Sequence, residues 1–153
     1  MIAKLKTKIK EIVATIMKAN ASPHDVAMGC AIGIFAAFVP IVPVQTLLLF
    51  GLMAIVRKSN KPASYAVSWV MNPFTIVPIY MAELWTGALL VPGAEPFTRE
   101  MVTKLLDNLT FEKLMGLGGQ LLAQLLIGGL LWAIILSIPT YFVVRFLLQK
   151  RHI

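Results

Sequence analysis

The feature that most constrains this chain is an uncharged tract that runs from residue 26 to residue 56, bounded by Asp25 on one side and by Arg57 and Lys58 on the other. One continuous helix of that length would extend roughly 46 Å, whereas the hydrocarbon core of a bilayer is about 30 Å thick. Two full crossings would need about 40 residues. The tract therefore fits neither one plain crossing nor two.

Two prolines near the middle of this tract offer a third arrangement. Pro40 and Pro43 each remove a backbone donor and disfavour helix in the residue that precedes them. We expect two half-helices of about 14 residues that enter the membrane, turn between Pro40 and Gln45, and return to the same side. This prediction is a re-entrant hairpin, and a single proline-kinked, tilted crossing is the alternative.

A second apolar tract, residues 62 to 91, is broken at the run from Asn72 to Thr75, which contains Pro73, and again at Pro78. Amide and hydroxyl groups are costly in hydrocarbon unless they are hydrogen bonded. Pairs of proline-interrupted apolar segments indicate a binding site in transporter-like folds, so we expect a polar substrate or ion site at the two breaks. Its candidate side chains are Gln45, Thr46, Asn72 and Thr75. In the alternative interpretation, Asn72 and Thr75 only cap the half-helices.

Glu83 is the one acidic residue inside the second tract. An intramembrane carboxylate is a functional candidate by default, for proton coupling or cation binding. A shallow position, from which the side chain reaches the interface, is the other interpretation. We include Glu83 among the candidate site residues and leave both interpretations open.

The amino-acid composition indicates whether this chain folds in water or in a membrane. Hydrophobic residues make up 58% of it and charged residues only 14%, with a formal net charge of +7. The apolar share exceeds the roughly 45–50% of soluble domains. The charges are confined to a few islands, which is unlike the basic surface of a nucleic-acid-binding protein. We expect an all-α integral membrane protein whose basic islands meet anionic lipid headgroups.

Four segments follow from this pattern. Residues 1–21 alternate lysines with aliphatic residues and predict a basic amphipathic helix that lies on the membrane surface or against a partner. Residues 22–91 form the membrane core with its two broken segments. Residues 92–113 are polar and predict an interfacial helix, and residues 114–153 predict one transmembrane helix with a basic tail. The positive-inside rule then places both termini of this multi-pass chain in the cytoplasm.

Small residues recur at four-residue steps along the apolar segments. Gly29 and Gly33 form one such step, and Gly119 and Gly129 begin two others. Steps of this kind let helices approach closely in a membrane. A chain with so few spanning segments can hardly enclose a pathway, so we expect a homo-oligomer joined through glycine-rich faces.

The sequence contains no recognisable catalytic constellation. Of its two histidines, His24 follows the helix start at Ser22, and His152 lies in the basic tail. Neither a metal-ligand spacing nor a phosphate-binding glycine loop occurs. We therefore expect no enzyme activity, no metal and no cofactor.

A set of residues between positions 22 and 90 carries a family resemblance. The set consists of Ser22-Pro23, Gly29, Gly33, Phe35, Pro40, Gln45-Thr46, Asn60-Lys61-Pro62, Asn72-Pro73-Phe74-Thr75, Pro78, Tyr80 and Gly87. In these residues the chain resembles the DUF2062 family of bacterial integral membrane proteins. The resemblance implies a small inner-membrane protein, and glycosyltransferase fusions in some relatives imply a link to cell-envelope or lipid-linked sugar metabolism. It implies no established activity.

Two functions fit these expectations. The first is a transporter, channel or lipid-translocating module with a polar site at the two helix breaks. The second is a non-transporting membrane scaffold or assembly partner for cell-envelope synthesis enzymes, in which the breaks serve only the architecture. The two differ in whether water reaches the breaks.

Overall fold

The computed structural model describes residues 22–40, 42–72, 74–93 and 119–151, and all regular structure in these ranges is helical. The helices are α1 (Pro23–Ala37), α2 (Val42–Ile55), α3 (Lys61–Ser68), α4 (Ile76–Leu90) and α5 (Gly119–Arg151). The all-helical class expected from the sequence is confirmed for this part of the chain. The surface arm expected at residues 1–21 and the proline at position 73 lie outside the described residues, as does the interfacial segment expected at 92–113 apart from its first two residues.

Helix α1 begins where its sequence signals place it. Ser22 is the N-cap, and its side-chain oxygen accepts a hydrogen bond from the Asp25 backbone nitrogen at 3.1 Å. Pro23 occupies the first turn, where a missing N–H has no helical partner to lose. At the other end, the Phe38 N–H donates to the Ile34 carbonyl. With 15 residues the helix is about 22 Å long, which is too short to cross a bilayer alone.

The non-helical breaks are shorter than the sequence analysis predicts. Helix α2 begins at Val42 and α4 at Ile76, so Pro43 and Pro78 lie in the first turns of helices and not in the breaks themselves. A proline is tolerated there because the N–H groups of a first turn have no partner within the helix. The turn after α1 accordingly ends before Val42 and does not extend to Gln45.

Helices α1 and α2 pack side by side as an antiparallel pair. The chain after α2 returns to the start of α1, where the Asn60 N–H donates to the Asp25 carbonyl at 2.8 Å. The closed end of this helical hairpin lies at Pro40. A buried cluster joins the two helices and consists of Ile32, Ala36, Leu49 and Met53.

Helix α3 then runs beside α1 in the same direction. Asn60 is its N-cap, and the Asn60 Oδ1 accepts from the Ala63 N–H at 2.9 Å. A Cβ on Gly29 would overlap the Asn60 carbonyl, and a Cβ on Gly33 would overlap the Ser64 carbonyl. The glycine step of α1 therefore lies at a close contact between two helix backbones.

Helix α5 is the longest element, and both α1 and α4 pack along it in the antiparallel sense. The start of α1 meets the C-terminal half of α5, where a hydrogen bond joins His24 Nδ1 and the Tyr141 hydroxyl at 2.7 Å. The end of α1 reaches the Gly129 region, where the Phe38 carbonyl faces that glycine. Helix α4 covers the N-terminal half and shares a buried cluster with Leu125. Helices α1 and α4 therefore lie end to end along α5.

Among the described residues, α5 is the one helix that is long and apolar enough to cross a membrane by its length and composition. Its 33 residues extend about 50 Å. Only 28% of its most apolar stretch is buried within the structure. Exposed apolar surface on this scale is typical of a face that contacts lipid or another protein. The exposed large side chains of α5 are Leu126, Ile127, Leu130, Ile134, Ile135, Ile138, Phe142, Val143, Phe146 and Leu147.

Candidate functional site

Glu83, in the middle of helix α4, is fully buried at 0% exposure. Among the described residues, neither of its carboxylate oxygens has a hydrogen-bond partner. Buried carboxyl groups are as a rule paired or hydrogen bonded, because removing an unpaired charge from water is costly. A carboxyl group left without partners in an apolar helix is therefore a candidate functional group.

The Glu83 carboxyl lies where helix α1 ends. A Cβ placed on Gly129 would be 3.4 Å from the Glu83 carboxyl carbon, 2.6 Å from the Phe38 carbonyl oxygen and 3.0 Å from the Pro40 ring. Helical side chains tilt toward the N-terminus of their helix, which carries the Glu83 side chain toward this break. A carboxyl group from α4, a glycine from α5 and the non-helical end of α1 therefore meet at one place.

Tyr80 ties α4 to the same break. Its hydroxyl donates to the Pro40 carbonyl at 2.9 Å, and both residues are buried. Tyr80 and Glu83 are three residues apart, so their side chains lie on the same face of α4. We refer to Phe38, Pro40, Tyr80, Glu83 and Gly129 together as the break site.

Helices α4 and α5 approach each other closely next to the break site. A Cβ on Gly128 would overlap the Glu83 carbonyl, and a Cβ on Gly87 would overlap the Gln124 carbonyl. Gln124 is 2% exposed, and its Oε1 has no hydrogen-bond partner in the described ranges. Two buried polar side chains with unpaired oxygens therefore lie at a single glycine-lined contact.

The groups that converge at the break site present oxygen atoms. They are one carboxyl group, one phenol hydroxyl and the backbone carbonyls at the end of a half-helix. In transporters with discontinuous helices, backbone carbonyls at such helix ends coordinate sodium ions or protons. Within the described part of the chain, no three His, Cys, Asp or Glu side chains lie together. The arrangement suits a proton or a monovalent cation better than a divalent metal, which prefers several carboxylate ligands.

Asn72 and Thr75, two of the residues predicted to form a site, bind the backbone of their own segment. The Asn72 Oδ1 accepts from the N–H groups of Phe74 at 2.9 Å and Thr75 at 3.2 Å. The Thr75 hydroxyl accepts from the Asn72 N–H at 3.0 Å and donates to the Val70 carbonyl. These are the contacts of a local cap, as in the alternative interpretation of the sequence.

Gln45 and Thr46 lie near the start of α2, where Gln45 is half-buried and Thr46 is exposed. In the described part of the chain, no hydrogen bond joins Gln45 to Asn72, Thr75 or Glu83. The predicted residues therefore do not form one hydrogen-bonded cluster. Among these candidates, Glu83 is the one that the structure buries completely and leaves with unsatisfied oxygens in the described residues.

Sequence reasoning named Glu83 and Gly87 for other reasons and did not predict that they meet Gln124 and Gly128 at a contact between α4 and α5. The available signal was a pair of matching steps, with Glu83 and Gly87 four residues apart on α4 and Gln124 and Gly128 four residues apart on α5. In each of these steps one residue is polar and the other is small, so the steps lack the two small residues that mark a helix contact in sequence. Gly119, predicted at a helix contact, has nothing within 4 Å of a Cβ built on it in the described residues.

A comparison with protein-family models identifies the family of this chain. The model described as "Uncharacterized protein conserved in bacteria (DUF2062)" matches residues 6–153. No curated protein and no solved structure gives a significant match. The family match includes every residue of the break site, and it extends well beyond the positions on which the sequence resemblance rests. The chain therefore belongs to the DUF2062 family.

Proposed function

We propose that this protein is a multi-pass protein of the bacterial inner membrane that moves an ion, a solute or a lipid headgroup past the break site, as a transporter, channel or lipid-translocating module. The observation that carries this proposal is the fully buried Glu83 carboxyl at the end of α1, whose oxygens have no hydrogen-bond partner in the part of the chain that the structure describes. A helix contact that served only architecture would gain stability by replacing such a group with an apolar one.

The proposed membrane arrangement follows the directions of the helices. Helices α1 and α2 enter and leave from the cytoplasm, α3 and α4 together cross outward, and α5 crosses back. Gly129 is the midpoint of the uncharged tract 114–144, which supports a position of the break site near the bilayer centre. Arg145 bonds the Tyr141 hydroxyl near the start of α1, at the end that the positive-inside rule assigns to the cytoplasm.

A pathway of this kind requires more than one copy of the chain. Helix α2 has large exposed side chains along its outer face, namely Leu47, Phe50 and Ile55. One copy contributes too few spanning segments to surround a solute. We therefore propose a homo-oligomer in which neighbouring copies complete the walls around the break site.

The second candidate function is a scaffold for cell-envelope synthesis enzymes, and one observation favours it. The segment from Asn72 to Thr75 is complete without a ligand, because its side chains satisfy its own backbone. A scaffold would need both breaks to be dry. Water access at the end of α1 therefore separates the two functions.

The experiment is thiol labelling in the membrane. In a Cys30→Ala background, single cysteines are placed at Val39, in the turn after α1, and at Thr75, with Ile138 on the exposed face of α5 as the matched control. A membrane-impermeant thiol reagent is then added to intact cells and to inverted vesicles. We expect the Val39→Cys thiol to react from at least one side, because water must reach a site that exchanges its cargo.

The control position and the break positions have different expected results. The Ile138→Cys thiol faces lipid in the proposed arrangement and stays unreacted from both sides. Reaction at Val39→Cys with protection at Ile138→Cys supports the translocation function. Protection at Val39→Cys and Thr75→Cys from both sides, in protein that is folded and inserted, contradicts it and favours the scaffold.

A further inference from the structure

We infer that the Glu83 carboxyl is a proton-binding site that is loaded and unloaded through water reaching the break site. This inference rests on the proposed function and names the proton as the ion that the module carries or to which it couples transport. The argument depends on which charges lie near Glu83, on the space around it and on what its neutral form can do.

No charged side chain of the described helices lies beside Glu83. Helix α5 has no Asp, Glu, Lys or Arg between residues 119 and 144, and α1 has none after Asp25. Other titratable groups of α1 and α5 lie at the far end of these helices, where His24 meets Tyr141, and they are His24, Asp25, Tyr141, Arg145 and Lys150. The titratable groups that remain on α1 and α4 are Tyr80, three residues before Glu83, and Cys30, which belongs to a cluster with Val26 and Ala63. Neither supplies a positive charge. With respect to the described helices, an ionised Glu83 would therefore be a buried charge without a counter-ion, which the neutral form avoids.

The space around the carboxyl group is small. Glu83 has no exposed surface, and its carboxyl carbon would lie 3.4 Å from a Cβ on Gly129. A metal ion that enters such a site must exchange its water for several protein oxygens. The Pro40 carbonyl, one of the nearby oxygens, already accepts from the Tyr80 hydroxyl at 2.9 Å. A proton needs only the carboxyl group itself.

Protonation also gives the carboxyl group a function at the break. An ionised carboxylate only accepts hydrogen bonds, whereas the neutral form carries an O–H donor. The last carbonyls of a helix lack partners within it, so the end of α1 presents acceptors to this side of α4. Loss of the proton would remove the donor and leave a charge in an apolar environment. Deprotonation therefore favours an arrangement in which water reaches Glu83, which couples proton release to opening of the site.

The experiment is infrared difference spectroscopy of the purified protein in lipid vesicles at neutral pH. The spectrum of Glu83→Gln is subtracted from that of the wild type, first in water and then in deuterium oxide. We expect the carbonyl band of a neutral carboxylic acid in the wild type, its complete loss in Glu83→Gln, and a downward shift of the band in deuterium oxide. The matched control is Asp25→Asn at the start of α1, whose difference spectrum should lack this acid band.

Every outcome decides the inference. A carboxylate band in place of the acid band overturns it, and so does an acid band that never shifts in deuterium oxide, because a proton that does not exchange is only structural. If the acid band disappears when sodium or potassium chloride is added while the pH is held constant, the inference is overturned in favour of a metal cation. If Glu83→Gln does not fold, Glu83→Asp keeps the acid and should move the band without removing it.

The inference and the proposed function can fail separately. Labelling at Val39→Cys together with a permanently ionised Glu83 would leave translocation standing and remove the proton. An exchangeable acid band together with complete thiol protection at both breaks would show that protons reach the site although larger probes do not. That second result would contradict solute or lipid movement while leaving the proton site in place.

Discussion

Two helix contacts in this protein share a backbone geometry and differ in chemistry. At the contact between α1 and α3, Gly29 and Gly33 lie against the carbonyls of Asn60 and Ser64. The polar groups of α3 there are satisfied, since the Asn60 Oδ1 accepts from the Ala63 N–H and the Ser64 hydroxyl donates to the Asn60 carbonyl at 3.2 Å. This contact has the properties expected of a purely structural helix–helix contact.

The contact between α4 and α5 uses glycine in the same way. Gly87 and Gly128 lie against the carbonyls of Gln124 and Glu83. Here the buried side-chain oxygens of Glu83 and Gln124 have no partners in the described part of the chain. The helix backbones approach even more closely here than at the contact between α1 and α3, so loose packing does not account for the unsatisfied oxygens.

The difference indicates which contact is available for function. Close approach of two helix backbones fixes positions, and satisfied polar groups then add stability and leave nothing for a ligand. At the second contact the same close approach fixes the position of Glu83, whose carboxyl oxygens lack partners among the described helices. The stability of α1 and α3 should therefore depend on their polar side chains, whereas that of α4 and α5 should not depend on Glu83.

The largest expected effect comes from filling either glycine contact. Gly128→Val and Gly33→Val each force a side chain into a neighbouring backbone carbonyl, so we expect each to lose about 3 kcal/mol of stability or fail to fold. Thermal unfolding in detergent measures this. Gly51→Val is the matched control, because nothing lies within 4 Å of a Cβ there in the described residues. Tolerance of Gly128→Val with loss at Gly33→Val would show that the two contacts are not equivalent in packing.

A smaller loss is expected from Tyr80→Phe. Removing its hydroxyl leaves the buried Pro40 carbonyl without its donor, at a cost of about 2 kcal/mol. Tyr65→Phe is the control, since that ring is exposed. Equal stability of the two variants in the same unfolding measurement would mean that Tyr80 does not hold the end of α1 against α4.

Asn60→Ala tests the contact between α1 and α3, where the polar groups of α3 are hydrogen bonded. We expect a loss of about 1 kcal/mol, the usual cost of removing an N-cap side chain. Asn60→Ser should recover much of it because a hydroxyl also accepts from the first turn. If Asn60→Ser lost as much stability as Asn60→Ala, the effect would come from packing and not from the N-cap hydrogen bond.

The smallest effect on stability is expected from Glu83→Gln. The substitution keeps the shape and removes a carboxyl group that has no hydrogen-bond partner among the described residues, so stability should change by less than about 0.5 kcal/mol or rise. A loss comparable to that of Tyr80→Phe would show that Glu83 has a stabilising partner, and the two contacts would no longer differ.

Much of this arrangement could be predicted from local sequence. The start of α1 follows from Ser22 and Pro23, and the close approach at Gly29 and Gly33 follows from their spacing on one helix. Such signals are readable because all the participants lie within a few residues of each other. The turn after Pro40 was also visible, since a proline disfavours helix before it.

The chemistry of the break site could not be predicted in the same way. The burial of Glu83 depends on α5, and its location depends on the end of α1 more than 40 residues earlier in the chain. For Asn72 and Thr75 the sequence left a site and a local cap open, because polar side chains in an apolar tract can also be satisfied by their own turn, and only the structure shows those local hydrogen bonds. Pro43 and Pro78 suggested longer breaks because a first-turn proline and a helix-breaking proline look alike in sequence.

The most direct test of the account compares one thiol in each region of the same molecule. The protein keeps its natural Cys30, buried against α3, and carries the single substitution Glu83→Cys. Folded, membrane-inserted protein is exposed to a small impermeant thiol reagent, and the two positions are quantified by mass spectrometry. We expect the thiol at position 83 to react while Cys30 stays protected. Protection of both thiols, or equal reaction of both, would contradict the proposal that the break site, and not the contact between α1 and α3, opens to solutes.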